Sequence, residues 1–315
     1  MKIRLITPAP PTARNGNSIT ALRWRLILGE LGHRAILEER YEGGPCDLMV
    51  ALHARRSFES IRRFRELNPD LPLIVALTGT DLYRDIKSHP NARESLELAS
   101  RLIVLQENGI AELPKRLRAK ARVIYQSAAQ LNAHVPPSSG FRVCVVGHLR
   151  PEKDPLRAAM AARHLPASSQ VEVLHIGRAL SREMERRARA EITRNPRYRW
   201  VGEFPHWKTR RLLAGSHLLA LTSRMEGSSN VLSEAIASSV PVIASRIPGL
   251  IGTLGENYPG YFPLGDTRAL TRLLRKAESD SRFYRSLKSH CGRLRSLVDP
   301  KRERSDWYTL LSELS

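Results

Sequence analysis

Hydrophobic and polar positions alternate along the first half of the chain in a pattern that predicts strands separated by helices. Short apolar runs predict strands at Ile3–Thr7, Ala35–Leu37, Leu48–Leu52, Leu73–Leu77, Leu102–Leu105 and Val123–Tyr125. Amphipathic stretches predict helices at about Ser18–Leu31, Ser57–Leu67, Ala92–Ala99 and Ala111–Leu117. Gly32 is placed to end the first helix. Strands that alternate with helices predict a parallel sheet covered on both faces.

The same pattern restarts after Asn132–Gly140, which we interpret as an interdomain linker. Strands are predicted at Arg142–Gly147, Val171–Ile176, Trp200–Val201, Leu218–Leu221 and Val240–Ala244. Helices are predicted near Pro155–His164, Arg182–Arg194, Lys208–Ala214, Asn230–Ser238 and Thr267–Ala277. The chain is therefore predicted to form two doubly wound α/β domains, at 1–133 and 134–299.

Composition agrees with a two-domain enzyme. The chain has 315 residues, of which 42% are hydrophobic, and no apolar run reaches the length of a membrane span. Its start is too rich in proline, and its apolar part too short, for a signal peptide. Three widely spaced cysteines, Cys46, Cys144 and Cys291, argue against a disulfide framework or a zinc cluster. These features predict a cytoplasmic protein without integral membrane contact.

The formal net charge of +20 is compatible with nucleic acid, an anionic membrane or anionic small substrates as partners. The basic residues are scattered over every predicted helix, and no known nucleic-acid-binding module is present. Aromatic residues make up only 6% of the chain, which leaves few platforms for stacking bases. We therefore interpret the charge as a solvated Arg-rich surface and predict no nucleic-acid partner.

The segment from Ser223 to Ser245 carries the most informative chemistry. It predicts a loop with Glu226, a helix that begins near Ser229 or Asn230, and an apolar strand. A helix N-terminus binds phosphate through its unpaired N–H groups and its dipole. Two carboxylates, Glu226 and Glu234, flank this anion site eight residues apart. A phosphate that carries hydroxyl groups suits such a site, and a nucleotide sugar is a ligand of this kind.

This segment resembles the donor-site signature of the GT-B-fold retaining glycosyltransferases. The resemblance implies two Rossmann-like domains that face each other across a cleft, and a C-terminal helix that crosses back to the first domain. Residues 300–315 are suited to form that helix, because Trp307, Leu310 and Leu311 share one face. By the resemblance, Glu226 meets the donor sugar and Glu234 holds the ribose hydroxyls. The resemblance assigns the N–H groups that face sugar and diphosphate to Gly227, Ser228, Ser229, Asn230 and Val231.

A second motif, Val145–Pro155, resembles the Gly-Arg-Leu-x-x-Glu-Lys motif of the same family, whose Arg and Lys neutralise the donor diphosphate. Lys153 matches the Lys, whereas His148 stands at the Arg position. A neutral imidazole brings no fixed charge, and Arg150 is placed to compensate. Phe204 lies in the turn Gly202–Pro205, where relatives hold the base. No D-x-D motif stands out, so we expect neither a metal ion nor a cofactor.

The predicted strand ends of the first domain carry polar and cationic residues. Arg14, Gly16 and Asn17 precede the first helix, Arg55 follows the third strand, and Thr80 and Asp81 follow the fourth. An N-terminal anion site and a plain turn with an Asn or Ser cap both fit the loop before the first helix. We expect Asp81 to face the cleft.

The order of the motifs along both domains narrows the resemblance to one family. The segments TPAPP, RNGN, LHARRS, LTGTDLY, VIYQSA, VGHLRPEKDP and YPGYFPLGD together look like the selenosugar synthase family of selenoneine biosynthesis. This resemblance implies that selenophosphate is joined to a UDP-sugar, UDP-N-acetylglucosamine or UDP-glucose, with release of UDP. Selenium is already anionic and needs no general base. Glu226, Lys153 and Asp81 are the expected catalytic residues.

Two other functions remain open at this point. A conventional O-glycosyltransferase that uses a UDP- or GDP-sugar would transfer to a hydroxyl and would need a base such as Asp81. A basic sugar-nucleotide or nucleic-acid binding protein would show no turnover.

Overall fold

The computed structural model describes residues 1–10, 15–131 and 136–314. The chain divides into two compact units. The first comprises Met1–Ser127, Glu226–Asn230 and Pro300–Ser315, and the second comprises Ala128–Met225 and Val231–Asp299.

The first unit contains a sheet whose paired strands are all parallel, in the order β2-β1-β3-β4-β5-β6. The strands are β1 Lys2–Ile6, β2 Arg34–Glu38, β3 Leu48–Leu52, β4 Leu73–Leu77, β5 Arg101–Val104 and β6 Ala121–Val123. The α-helices between them are α1 Gly16–Glu30, α2 Phe58–Leu67, α3 Ile86–Ser88, α4 Pro90–Leu98 and α5 Asn108–Glu112. A π-helical turn spans Asp81–Asp85, and a 3₁₀ helix spans Lys115–Lys120.

Burial on both faces explains why the central strands are uninterrupted apolar runs. Successive residues of a strand point to opposite faces. In β3, Met49 and Ala51 pack in one cluster with Phe64, whereas Leu48, Val50 and Leu52 pack in another with Trp24. Both faces of β3 are therefore buried against apolar side chains. Polar residues that could bind a ligand near this strand lie after its end.

The second unit repeats the architecture, with parallel strands in the order β12-β11-β10-β7-β8-β9. The strands are β7 Phe141–Val146, β8 Val171–Ile176, β9 Tyr198–Trp200, β10 Leu218–Leu221, β11 Val242–Ser245 and β12 Tyr261–Phe262. The α-helices are α6 Arg157–Ala162, α7 Arg182–Arg194, α8 His206–Ala214, α9 Asn230–Ala237, α10 Pro248–Leu254, α11 Thr267–Ser279 and α12 Ser281–Arg293. The 3₁₀ helices are Pro151–Lys153 and Arg295–Val298.

The C-terminal helix α13, Pro300–Ser312, belongs to the first unit. Trp307 is fully buried and packs edge-on against Trp24 of α1, with ring centroids 5.0 Å apart. Such aromatic pairs add about 0.5–1.5 kcal/mol beyond the area that they bury. The two parallel α/β sheets and the return of the terminal helix confirm the predicted GT-B architecture.

Several elements differ from the prediction. The helix expected at Ala111–Leu117 is broken into α5 and a 3₁₀ helix, because Pro114 lies inside it and a proline disrupts an α-helix. The helix expected from Pro155 begins only at Arg157, after Asp154 adopts a left-handed φ of +42°. The sequence prediction missed α10, α12 and β12. Residues 132–135 of the predicted linker lie outside the described residues.

Across the described ranges, no helix combines the length and the apolar character that crossing a membrane requires.

Candidate active site

The strand order of the second sheet reverses at β7 and β10, whose carboxyl ends lie side by side. Ligands of open parallel α/β sheets bind at such a switch point. A pocket occurs at this place, and its lining includes Val146, Gly147, Lys153, Leu221, Thr222 and Ser223. This pocket is the natural starting point for a binding site in the second unit.

The loop after β7 brings Lys153 back over the end of its own strand. A Cβ at Gly147 would lie 3.8 Å from Cγ and Cδ of Lys153, so the lysine stem runs along the glycine. The hydroxyl of Thr222, just after β10, donates to the carbonyl oxygens of Lys153 and Asp154 at 3.0 Å each. The end of β10 therefore holds this loop, and with it Lys153, at the pocket.

Beneath this loop, His175 supports the backbone of Gly147. The imidazole is fully buried, and burial lowers its pKa from 6.5 to about 4. The neutral ring donates from Nε2 to the Gly147 carbonyl at 3.1 Å and accepts at Nδ1 from the Tyr198 hydroxyl at 2.8 Å. Nε2 thus holds the end of β7, while Nδ1 links the ring to Tyr198 of β9.

His148, at the position where the related motif has arginine, packs beside an acidic residue. The main-chain N–H of Arg178 donates to Nδ1 at 3.3 Å, which leaves the ring proton on Nε2. Nε2 lies 3.9 Å from Oε1 of Glu203. This environment replaces the fixed positive charge of an arginine with a histidine that faces a carboxylate. Arg150, two residues on, is half-buried in the same loop.

Glu234 lies on α9 and is only 5% exposed. His206 Nε2 is 2.6 Å from Oε1 of this carboxylate, so the histidine orients it. His206 is the first residue of α8 and follows the turn that contains Phe204. Phe204 is half-buried, and the ammonium of Lys208 lies 4.0 Å from the centroid of its ring.

The segment Glu226–Asn230 packs within the first unit. A Cβ at Gly227 would come closer than 3.0 Å to the backbone of Thr78 and Gly79, so only glycine allows this approach. Glu226, Ser228 and Ser229 are buried. The Asn230 side chain accepts from Arg23 Nη1 at 2.8 Å and donates to the hydroxyl of Thr20 at 3.3 Å.

The structure corrects the expectation that Asp81 faces a cleft. Asp81 is fully buried, because its carboxylate accepts hydrogen bonds from backbone N–H groups of two strand ends. Oδ1 accepts from Gly79 at 2.8 Å, and Oδ2 accepts from Ala54 at 3.0 Å. Thr78 donates to the same carboxylate at 2.9 Å. Asp81 therefore ties the ends of β3 and β4 together.

Thr80 and His53 form a pair at these strand ends. His53 is buried and has a φ of +73°, a conformation that costs a non-glycine residue about 1–3 kcal/mol. The N–H of Arg56 donates to Nδ1 at 3.3 Å, so Nε2 carries the proton and donates to the Thr80 hydroxyl at 3.0 Å. The strained backbone and the buried ring direct the hydroxyl of Thr80.

The side chain of Arg55 is 42% exposed and contacts two other side chains. Its Nη1 lies 3.3 Å from Oδ1 of the buried Asp85 and 3.0 Å from Nε2 of His89. Gly16 and Asn17 form the first turn of α1, whose N-cap is Asn15. Arg14 lies outside the described residues.

Residues 127–291, just over half of the chain, match the family model described as Glycosyl transferases group 1. The chain belongs to this family. A curated relative of this group 1 glycosyltransferase is the Glycosyltransferase 1 domain-containing protein 1 of Xenopus tropicalis. The two are 26% identical over 266 residues, which cover 75% of this chain and 76% of the relative.

Solved structures show that this group 1 glycosyltransferase has the GT-B fold. HepE from Anabaena, in complex with UDP and glucose, superposes with a TM-score of 0.80 at 18% identity and 100% coverage of both chains. Sucrose-phosphate synthase from Thermosynechococcus elongatus superposes with a TM-score of 0.80 at 18% identity, covering 99% of this chain and 98% of the other.

The structure places further residues of this group 1 glycosyltransferase near the candidate site, and the sequence analysis did not name them. His206, His175 and Arg23 contact residues described above. His175 sits inside an apolar strand, where a lone histidine carries no motif. Gln126 and His53 lie in the quoted strand-end segments VIYQSA and LHARRS, but the sequence assigned no role to either side chain. Among the described residues, no group of three His, Cys, Asp or Glu is arranged to hold a metal ion.

Proposed function

We propose that this group 1 glycosyltransferase joins selenophosphate to a UDP-sugar and releases UDP, giving a 1-seleno-sugar once the phosphoryl group is lost. The observation that carries the proposal is the position of Lys153 along the end of β7, at the switch point of the second sheet. A GT-B neighbour was crystallised with UDP and glucose, which supports a UDP-sugar as donor here. UDP-N-acetylglucosamine and UDP-glucose are the donors that we propose.

In this proposal, Lys153 and Arg150 neutralise the diphosphate of the donor. The N–H groups at the start of α9 add the positive end of a helix dipole. Glu234, which His206 orients, accepts the ribose hydroxyls, and Phe204 packs against the base. Glu226 contacts the transferred sugar. His148 brings no fixed charge of its own to the diphosphate.

The acceptor proposal rests on the resemblance and on the polar strand ends of the first unit. Thr80, with its hydroxyl held by His53, and Arg55 offer hydrogen-bond donors to an oxyanion. Gly16 and Asn17 add the first turn of α1. Selenium attacks the anomeric carbon, the C–Se bond forms, and the C–O bond to UDP breaks with its electron pair on UDP. Water then cleaves the Se–P bond and gives phosphate and the selenol.

Because selenium enters as an anion, this reaction needs no base at the acceptor. Asp81, whose oxygens accept backbone N–H groups, is therefore not required for proton transfer. A hydroxyl acceptor is the second candidate, because Thr80 and Arg55 can also hydrogen-bond to a hydroxyl group. In that case another group must take the proton, since Nε2 of His53 already donates to Thr80 and the carboxylate of Asp81 accepts backbone N–H groups.

UDP release separates the candidates. Purified protein is incubated with UDP-N-acetylglucosamine or UDP-glucose, with and without selenophosphate, and UDP and free phosphate are measured. We expect release of both products in equal amounts only when selenophosphate is present. UDP release that depends on a hydroxyl compound and ignores selenophosphate would replace the proposal with an O-glycosyltransferase. No release with any acceptor would leave a binding protein.

A further inference from the structure

Six side chains or backbone groups of the first unit close a ring of hydrogen bonds. Asn230 links Thr20 to Arg23, with distances of 3.3 Å and 2.8 Å. Arg23 Nε donates to Oε2 of Glu303 at 2.8 Å, and the N–H of Ser127 donates to the same oxygen at 2.9 Å. Gln126, the neighbour of Ser127 in the chain, completes the ring. Its Nε2 donates to the Thr20 hydroxyl at 2.6 Å. We call this set the α1 ring: Thr20, Arg23, Gln126, Ser127, Asn230 and Glu303.

The donors and acceptors of the α1 ring can all be assigned from these contacts. Arg23 can only donate, so the oxygen of Asn230 faces it and the Asn230 amide nitrogen faces Thr20. The Thr20 hydroxyl donates to the Gly16 carbonyl at 2.9 Å, and it therefore accepts from Gln126. The nitrogen of the Gln126 amide is thus used within the ring, and its oxygen points elsewhere.

Two atoms on the α1 ring are buried and have no hydrogen-bond partner among the described residues. They are Nη2 of Arg23, a donor, and Oε1 of Gln126, an acceptor. Gln126 is only 4% exposed. A buried polar atom without a partner costs about 1–3 kcal/mol, so such atoms call for an explanation. The Arg23 side chain as a whole is 18% exposed, so part of it reaches solvent although Nη2 itself is buried.

The charge of the α1 ring argues against an ion as the missing partner. Glu303 is buried and compensates the charge of Arg23. Its other oxygen, Oε1, accepts from Trp24 Nε1 at 2.7 Å. An anion at the ring would meet the lone pairs of Gln126 Oε1, and a cation would meet Arg23. A neutral hydroxyl group that reaches both atoms would accept from Nη2 and donate to Oε1, and it would satisfy both.

We propose that the α1 ring is a subsite for a hydroxyl group of a sugar, bound directly by Arg23 and Gln126 and held in position by Glu303 and Asn230. The sugar of the nucleotide donor and a hydroxylic acceptor both supply this group. The choice of a sugar nucleotide as probe rests on the proposed function. Donor binding is measured without any acceptor, so an absence of turnover with selenophosphate would not contradict the proposed subsite.

Calorimetry with UDP, UDP-glucose and the deoxy analogues of UDP-glucose tests the subsite. In the wild-type chain we expect one deoxy analogue to bind about tenfold more weakly than UDP-glucose, the equivalent of one hydrogen bond. In Gln126→Met, UDP-glucose should lose about the same factor and UDP none. The same deoxy analogue should then bind Gln126→Met no more weakly than UDP-glucose does.

Gln106→Met is the matched control. Gln106 is also fully buried just after a strand, donates from Nε2 to the Tyr83 hydroxyl at 2.7 Å, and has an unpartnered Oε1. It lies outside the α1 ring, so this variant should keep the affinity for every UDP-glucose analogue. Arg23→Lys removes Nη2 while keeping the charge beside Glu303, and it gives a second test if Gln126→Met fails to fold.

Three outcomes distinguish a donor-sugar subsite, an acceptor subsite and a purely structural ring. Selective loss of UDP-glucose affinity supports the donor sugar as the source of the hydroxyl. An unchanged UDP-glucose affinity with an increased KM for a hydroxylic acceptor supports the acceptor as the source. If deoxy analogues bind the wild type equally well and Gln126→Met and Arg23→Lys change only the melting temperature, the ring is a structural feature. The missing partner is then an internal water, and the proposal fails.

Discussion

Gly177 lies against the carbonyl group of Gly147, so closely that a Cβ at position 177 would overlap it. Gly177 also has a φ of +151° and donates its N–H to the Gly202 carbonyl at 2.7 Å. The loops that follow β7, β8 and β9 are therefore joined at this point. Because these loops contain His148, Lys153 and Phe204, the fit of two glycines positions the proposed donor site.

We expect Gly177→Ala to reduce UDP affinity at least tenfold, because the added methyl group displaces the loop that holds Lys153. The two measurements are UDP calorimetry and circular dichroism. Gly292→Ala is the control: a Cβ there meets nothing within 4 Å, and alanine favours a helix by about 0.5–1 kcal/mol. Wild-type UDP affinity in Gly177→Ala would show that this contact does not shape the site.

Replacement of Glu234 with alanine should weaken UDP binding by about 1–3 kcal/mol, the range for hydrogen bonds to a charged group. UDP itself is the probe because the ribose is present in substrate and product. His206→Ala should have a smaller effect, since it removes only the group that orients the carboxylate.

Glu256→Ala serves as the control for Glu234→Ala, because Glu256 is an exposed carboxylate of the same unit paired with Arg246. Equal UDP affinity in Glu234→Ala and in the wild type would exclude Glu234 from the ribose site.

Lys153→Ala should reduce kcat more than His148→Ala does at neutral pH. Lys153 brings a fixed positive charge to the leaving diphosphate, whereas His148 uses Nδ1 to accept from Arg178. Steady-state kinetics with the UDP-sugar compare the two variants. His148→Arg probes the departure from the related motif, and increased affinity for the UDP-sugar would show that a second cation fits there. Loss of turnover in His148→Arg together with full activity in Lys153→Ala would reverse the two roles.

The central strands were predictable because their sequence reflects one strong physical constraint. Leu48–Leu52, Leu73–Leu77 and Leu218–Leu221 have the predicted bounds, since a strand buried on both faces must be apolar throughout. Val171–Ile176 also has the predicted bounds, although it contains an exposed Glu172 and the polar His175. The edge strand Tyr261–Phe262 has only two residues and offers no such run. Helix α10 begins with Pro248 and contains two glycines, so its composition favoured a loop.

The position of a proposed site residue was predictable where a motif placed a charge at a strand end, and not where tertiary contacts decide what the residue does. Lys153 lies at the pocket as its position after β7 suggested. Asp81 also follows a strand, but the backbone N–H groups of Ala54 and Gly79 enclose its carboxylate. Ala54 is 27 residues away in the chain, and local sequence does not reveal such a partner.

Asp81→Asn should lower the stability of the protein and leave the activity of the folded molecules intact. The substitution turns one acceptor oxygen into an NH₂ group that faces a backbone N–H, and an unsatisfied buried donor costs about 1–3 kcal/mol. Urea unfolding measures the loss, and activity per folded molecule is measured alongside it. Asp70→Asn, at an exposed position, should change neither quantity. A stable Asp81→Asn variant with strongly reduced kcat would restore Asp81 as a catalytic residue.

The stability of the protein should fall as the pH is lowered from about 6.5 to about 4, and His175 should account for about 3 kcal/mol of that loss. Burial lowers the pKa of His175 to about 4 in the folded chain, whereas an unfolded histidine titrates near 6.5. As the pH falls, the unfolded state binds a proton before the folded state does. The stabilisation from the neutral His175 is therefore complete above pH 6.5 and absent below pH 4.

His175→Gln keeps a donor for Gly147 and an acceptor for Tyr198 without a titrating ring. Urea unfolding at a series of pH values should give a shallower slope for His175→Gln, while His164→Gln, at an exposed position, should match the wild type. Identical slopes in all three proteins would mean that other groups set the acid sensitivity.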